Sequence, residues 1–186
     1  MRSHHAVARS TKGSALIEFA VAVPLLVVFI VGIYDFSAAF NQKQKIEHAA
    51  LSGAIAGGAL PTGDLDPAVS DPASLQPVAA VVFNSLAADG VLPLANQGTC
   101  LPPTAASSHP TDLSWAYSVA GCPDTLTITI DRGVVDPGPP ATVSTQVTVR
   151  YLYHWRFNSV IQLLVPGASY AATTDVTESA MVHNQM

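Results

Sequence analysis

An apolar run near the N-terminus constrains this chain more than any other feature. Phe19 to Tyr34 are sixteen residues without a charge, about 24 Å of helix at a rise of roughly 1.5 Å per residue. Because a hydrocarbon core is ~30 Å thick, a membrane helix has to begin earlier, at Ser14, which gives 21 residues. That longer span includes Glu18, whose carboxylate is costly in apolar surroundings unless it lies at the interface, is protonated or has a cationic partner.

The charges on either side of this run differ in sign. Arg2, Arg9 and Lys12 precede it without an acid among them, whereas Leu60 to Met186 carry three Lys/Arg against ten Asp/Glu. Since short basic flanks stay in the cytoplasm, we expect the N-terminus to be inside and the acidic remainder to be exported. An acidic distal part also argues against nucleic acid as a partner, because nucleic-acid binding needs a basic surface.

Composition predicts a folded chain. The 186 residues are 49% hydrophobic and only 11% charged, which is too apolar for a disordered protein. This length holds one compact domain beside a membrane segment.

The two cysteines, Cys100 and Cys122, both lie in the part predicted to be exported. In an oxidising compartment this pair favours a disulfide that closes a loop of about 20 residues, and two free buried thiols are the alternative. A metal site is not expected, because His109 is the only histidine between the cysteines.

The helical pattern continues beyond the apolar run as far as Leu60, without a proline. Ala49, Gly53 and Gly57 form a ridge of small residues at four-residue spacing, which permits close approach of another helix or a sheet. The alternative is that they are ordinary small core residues under a packed sheet.

The composition changes after Leu60, since thirteen of the fourteen prolines follow it. "PTGDLDPAVSDPASLQP" is typical of a turn-rich connector, and its aspartates, at 64, 66 and 71, lack the EF-hand spacing for calcium. Pro77 to Gly90 predict a short helix with Val78, Val82 and Leu86 on one stripe and Gly90 as the C-cap signal.

From Trp115 the pattern alternates, which predicts antiparallel strands at "WAYSV", "TLTITID" and "TQVTVRYLY". "DRGVVDPGPP" is expected to be a long connection between the second and third of these. "NSVIQLLVPG" is expected to be a helical turn or loop, and "YAATTDVTESAMV" a final strand. The predicted fold class is α+β, a long N-terminal helix followed by a small antiparallel sheet.

The sequence contains no GxSxG, HExxH, phosphate loop or paired CxxC. Catalytic residues, cofactors and metals are therefore not expected, and the protein is not expected to be an enzyme. The histidines are scattered, at His4, His5, His48, His109, His154 and His183.

The stretch "GSALIEF" resembles the recognition site of prepilin peptidases, in which cleavage follows a glycine and a glutamate is the fifth residue of the mature chain. By this resemblance Gly13 ends the leader, Ser14 becomes the N-terminus and Glu18 is the fifth residue. The new α-ammonium and a carboxylate four residues along lie one helical turn apart, so Glu18 can pair with its own or a neighbouring subunit's amine. Phe19 follows it, where main pilins commonly have tyrosine.

The segment from Gly13 to Gly58, with Pro24, "GIYDF" and "QKIEHAALSGA", is similar to the TadE/TadG-like pseudopilins of the tight-adherence (Tad or Flp) pilus system. This resemblance implies a pilin-like fold with four parts: a basic leader at 1–13, a transmembrane helix at 14–34, its periplasmic continuation at 35–60 and a periplasmic α+β domain at 61–186. It implies a single-pass protein of the bacterial inner membrane.

The resemblance also implies the function and the partners. We expect a minor pilin that initiates, primes or caps a pilus, since a distal domain of more than 120 residues is large for a repeating shaft subunit. The expected partners are a prepilin peptidase, other pseudopilins, the major pilin, the inner-membrane assembly platform and membrane lipid.

Two other readings remain open at this point. A secreted binding or adhesive domain behind an ordinary signal peptide fits the basic and apolar regions, with Ser37-Ala38-Ala39 as the cleavage site. An uncleaved membrane enzyme or sensor requires a dyad of His154 or His109 with an acid. The aromatic residues from Tyr151 to Phe157 are either an adhesive patch or the packing of the sheet on the long helix.

Overall fold

The computed structural model describes residues 12–92, 98–157, 162, 167 and 172–185. Its helices are α1 (Lys12–Ala59) and α2 (Leu75–Ala88), and its strands are β1 (Ser108–Thr111), β2 (Ser114–Cys122), β3 (Asp124–Asp136), β4 (Thr142–His154) and β5 (Thr173–His183). The strands form one antiparallel sheet in the order β1-β2-β3-β4-β5. The α+β class is confirmed.

The chain divides into two compact units. The first consists of Met1–Ser37 and Arg156–Ala172, and the second of Ala38–Trp155 and Thr173–Met186. Helix α1 contributes to both, its first part to the first unit and its second part to the unit that contains the sheet.

The sheet buries the residues that the alternating pattern places on one face. The predicted inward residues are between 0% and 7% exposed. They are Trp115, Tyr117, Val119, Leu126, Ile128, Ile130, Val147, Val149, Tyr151 and Tyr153. The predicted strands are confirmed, including the last one.

Helix α2 also follows its prediction, with Val78, Val82 and Leu86 buried completely. Its C-terminus is closed by Gly90, which has a φ of +68°, the left-handed conformation that glycine adopts most readily. The amide of Gly90 donates to the carbonyl oxygen of Ala87 at 3.1 Å. The helix begins at Leu75, two residues before the predicted start.

The prediction that "DRGVVDPGPP" is a connection was wrong for its first half. Strand β3 continues to Asp136, and Val134 and Val135 pair with Ser144 and Val143 of β4. The register shifts between Asp131 and Val134, as in a β-bulge, which interrupts the alternating pattern that predicts strands.

Gly133 stands within this bulge because Leu113 packs against it. A Cβ at position 133 would lie 2.8 Å from Leu113 Cδ1. The close approach therefore needs glycine.

Strand β1 was not predicted. It has only four residues, one of them Pro110, and it lies at the edge of the sheet, where proline is tolerated. The predicted turn "NSVIQLLVPG" lies outside the described residues, apart from Gln162 and Gly167.

The predicted disulfide is present between Cys100 and Cys122, whose Cα atoms are 4.6 Å apart. It ties the segment before β1 to the end of β2. Beside it Gly121, with φ +82°, lets the chain approach closely, since a Cβ there would lie 2.7 Å from the carbonyl oxygen of Thr99.

Candidate functional site

The first part of α1 presents its apolar side chains outward. Leu16, Ile17 and Phe19 are 68% to 70% exposed, and the most apolar window of the helix has none of its residues buried. By length and composition α1 is able to cross a membrane. It continues without interruption through Pro24.

The residues of the predicted processing site lie at the beginning of this helix. Gly13 and Ser14 are in its first turn, and Glu18 follows one turn later with an exposed side chain. A residue pair four apart lies on one side of an α-helix, so position 14 and Glu18 share one side of α1, and their pairing stays a prediction.

Asp35 directly follows the predicted membrane span and is almost fully buried, at 1% exposure, between the exposed Tyr34 and Phe36. Its Oδ2 accepts a hydrogen bond from the backbone N–H of Phe157 at 2.8 Å, within the first unit. The sequence reasoning missed this residue. Its signal was an acid directly after the apolar run.

The second part of α1 has a buried face made largely of small residues. Ile46, Ala49, Ala50 and Ala54 are 0% exposed, and Gly53 and Gly57 are also buried. A Cβ at Gly53 would overlap Val82 of α2 and approach Val147 of β4 to 3.3 Å, and one at Gly57 would lie 2.8 Å from Thr145. The small-residue ridge therefore lies against both α2 and the sheet.

The opposite face of this part of α1 keeps large apolar side chains exposed. Phe40 is 54% exposed, Leu51 43% and Ile55 56%. These residues recur near the four-residue helical spacing and so form an outward stripe. We call Phe40, Leu51 and Ile55 the outer apolar stripe.

Polar contacts hold α1 between β5 and the end of α2. Lys43 Nζ lies 3.5 Å from Glu178 Oε1, and Lys45 Nζ donates to the carbonyl oxygen of Asp89 at 2.7 Å. Asp89 is the C-cap of α2, where a cation interacts favourably with the helix dipole. His48 adds an exposed contact of 3.7 Å to Asp89 Oδ2.

One histidine–acid pair of the kind required by the enzyme reading is present. His154 Nε2 lies 2.7 Å from Asp124 Oδ2, with the histidine side chain 62% exposed. His109 instead stacks on Trp115, with ring centroids 4.8 Å apart, and its Nε2 lies 3.2 Å from the carbonyl oxygen of Asp112. A pair of this kind also needs a nucleophile before it supports covalent catalysis.

The aspartates of the connector bond to nearby groups of the chain. Asp64 Oδ2 accepts from the Ser74 amide at 2.8 Å, and Asp66 Oδ1 accepts from the Ala68 amide at 2.8 Å. Asp71 Oδ1 accepts from the Tyr117 hydroxyl at 3.3 Å, and burial together with this carboxylate raises the pKa of Tyr117. The carboxylates thus fasten the connector.

The aromatic residues near the end of β4 divide between two environments. Tyr151 and Tyr153 are 4% and 7% exposed and belong to the packed face of the sheet. Trp155 is half-buried, contacts Tyr153 edge to face at 5.0 Å, and donates from Nε1 to Thr174 Oγ1 at 2.7 Å. For the two tyrosines, core packing is the use that the structure shows.

Together, the apolar helix and the small sheet define a class: an α+β protein whose long N-terminal apolar helix is compatible with one membrane pass. The family model described as TadE-like protein matches residues 13–54. The resemblance is therefore confirmed for that segment, which is TadE-like and covers most of α1. Neither the curated proteins nor the solved structures gave a match.

Proposed function

We propose that this protein is a minor pilin, or pseudopilin, of a Tad-type pilus, anchored in the bacterial inner membrane with its sheet domain in the periplasm. The observation that carries the proposal is the TadE-like match over residues 13–54, which coincides with a helix that begins at Lys12 and ends at Ala59. The function is proposed to be non-enzymatic: initiation, priming or capping of assembly.

In the proposed mechanism α1 is first the membrane anchor and then the assembly element. Side chains such as Leu25 and Ile33, which are exposed in the isolated chain, contact lipid before assembly and neighbouring helices afterwards. This exchange replaces one apolar surrounding by another, so its net cost is small. Glu18 pairs with the α-ammonium of Ser14 or of a neighbouring subunit once the leader has been removed by the prepilin peptidase.

The outer apolar stripe extends the proposed contact beyond the membrane. Full burial of an apolar side chain is worth about 2 kcal/mol, from which the cost of association is subtracted. Phe40, Leu51 and Ile55 are thus suited to pack on the helix of a partner pseudopilin or of the major pilin. The inner-membrane assembly platform is the proposed place where α1 exchanges its lipid contacts for contacts with neighbouring helices.

The first experiment is to determine the intact mass and the N-terminal sequence of the protein recovered from its native membrane. An N-terminus at Ser14 supports the proposal. One near Phe40, after Ser37-Ala38-Ala39, contradicts it and favours the secreted domain released by a signal peptidase.

A second experiment tests the stripe. Ile55→Glu is expected to reduce co-purification of partner pilins, whereas Glu47→Gln on the same exposed side of α1 leaves it unchanged. Equal loss in both variants, or in neither, contradicts the proposed contact.

A further inference from the structure

The chain meets α1 again far from its N-terminus, at the predicted end of the membrane span. Phe157, which is 122 residues beyond Asp35, donates its backbone N–H to Asp35 Oδ2 at 2.8 Å. Its ring lies over Gly32, since a Cβ at Gly32 would be 3.6 Å from the Phe157 ring. All three residues belong to the first unit.

The position along the helix decides what this ring can contact. Gly32 precedes Asp35 by three residues, about 4.5 Å along the helix axis. The Phe157 ring is therefore level with the last turn of the 14–34 span, the region where aromatic side chains concentrate at membrane interfaces. Tyr34 and Phe36, 64% and 68% exposed, lie on α1 at the same level.

The hydrogen bond from the Phe157 backbone to Asp35 is also consistent with a position at the membrane interface. Near the hydrocarbon an N–H without a partner is costly, because water is scarce there. Asp35 supplies an acceptor for the Phe157 amide, and the ring lies within van der Waals reach of position 32. Asp35 is accordingly a positioning residue.

Arg156 precedes Phe157 and is exposed. A guanidinium binds phosphate oxygens through two parallel hydrogen bonds, and its apolar stem tolerates the interface. Arg156 and Phe157 thus place a phosphate-binding group directly beside an aromatic ring.

We propose that Arg156 and Phe157 form a second membrane contact, in which Phe157 enters the boundary between headgroups and acyl chains and Arg156 binds lipid phosphate. This rests on the proposed insertion of α1 and goes beyond it, since a single-pass anchor does not require a lipid contact from a distal segment. Asp35 holds the contact at the correct depth.

Depth-dependent fluorescence quenching tests this proposal with the full chain. The two native cysteines are joined in the disulfide, so Phe157→Cys introduces a thiol for a nitrobenzoxadiazole label. The labelled protein is reconstituted in phosphatidylcholine/phosphatidylglycerol vesicles that contain lipids brominated on the upper acyl chain. Val28→Cys serves as the reference for insertion, and Ser118→Cys, exposed on β2, as the reference for water.

The label at 157 is expected to be quenched well above the water reference. Asp35→Ala is expected to reduce that quenching about twofold, whereas Asp35→Asn, which keeps an acceptor oxygen, preserves it. If position 28 is quenched and position 157 behaves like Ser118, the second contact is refuted and the membrane anchor stands. If position 28 is not quenched, the insertion itself is refuted, and the proposed contact with it.

Discussion

Arg132 of β3 donates from Nη2 to the carbonyl oxygen of Leu60 at 2.9 Å and so joins the sheet to the residue that directly follows α1, 72 residues earlier in the chain. The side chain is 1% exposed, and its Nε and Nη1 have no partner among the described residues. Burial lowers the pKa of Arg132, and the charge of Asp64 opposes that effect. The bulge after Asp131 is where the strand brings this arginine inside.

Arg132→Ala should lower the free energy of unfolding by about 3 kcal/mol, because the substitution leaves a cavity and an unpaired Leu60 carbonyl. Arg132→Met fills most of the volume without a donor and should cost less. Urea unfolding followed by circular dichroism measures both. Arg150→Met on the exposed face is the control, and an equal effect there would contradict the buried role.

Gly53→Val should destabilise the sheet domain by about 2 kcal/mol, because the position is packed against Val82 and Val147. The added methyl groups have no room there, although valine is a better helix former than glycine. Ala59→Val places the same side chain at an exposed position of the same helix and should change stability little. A stabilised Gly53→Val variant in thermal unfolding would show that the helix and sheet are less closely packed.

Replacement of both Cys100 and Cys122 by alanine should lower the free energy of unfolding by about 3 kcal/mol in the chain-entropy model, since their sequence separation is 22. Denaturant titration of the double variant measures the loss. When reductant is added to the wild type, its unfolding midpoint should fall to that of the double variant. A wild-type midpoint that reductant does not change would contradict the prediction.

Acid should remove the contribution that ionised Asp64 makes to the free energy of unfolding. Burial raises the pKa of Asp64, but the hydrogen bond donated by the Ser74 backbone amide and the charge of Arg132 oppose it and hold that pKa below its ordinary value of 3.8. A carboxyl whose pKa is lowered by folding stabilises the protein above the unfolded pKa and loses this effect as the pH falls through the folded one. Wild type should thus be more stable than Asp64→Asn at neutral pH, and this difference in stability should shrink below pH 3.8.

The comparison is made by unfolding both proteins across the acid range. The same comparison in the Arg132→Met background is a further check. Because the charge of Arg132 is then absent, the difference in unfolding free energy between the proteins with Asp64 and with Asp64→Asn should be smaller. A difference that is constant with pH would contradict the charge effect.

Glu18→Ala should be produced and inserted but poorly incorporated into pili, because the proposed partner of the mature α-ammonium is removed. Immunoblots of membranes and of sheared pili measure insertion and incorporation separately. Glu47→Ala is the matched control on the same helix, exposed in the second unit. Normal incorporation of the Glu18 variant would exclude the ammonium pairing from the mechanism.

Local pattern was sufficient for most of the fold. The 3.6-residue period at Val78, Val82 and Leu86 located α2, and the two-residue period at Leu126, Ile128 and Ile130 located β3, because each period places apolar groups on the face that becomes buried. It failed at β1 and at the β3 bulge, where a proline, a glycine and a buried arginine interrupt the period. The TadE-like segment was also recognised from local residues, since "GSALIEF" and the apolar run are contiguous.

The sequence by itself determined the apolar span, the alternating strands and the cysteine pair, because periodicity, charge and short spacing are properties of neighbouring residues. Only the tertiary structure decided which distant groups meet: Arg132 with Leu60, Asp35 with Phe157, and His154 with Asp124. Such partners are 30 to 122 residues apart. They are chosen by the register of the strands and by where the chain returns to α1, which no local pattern encodes.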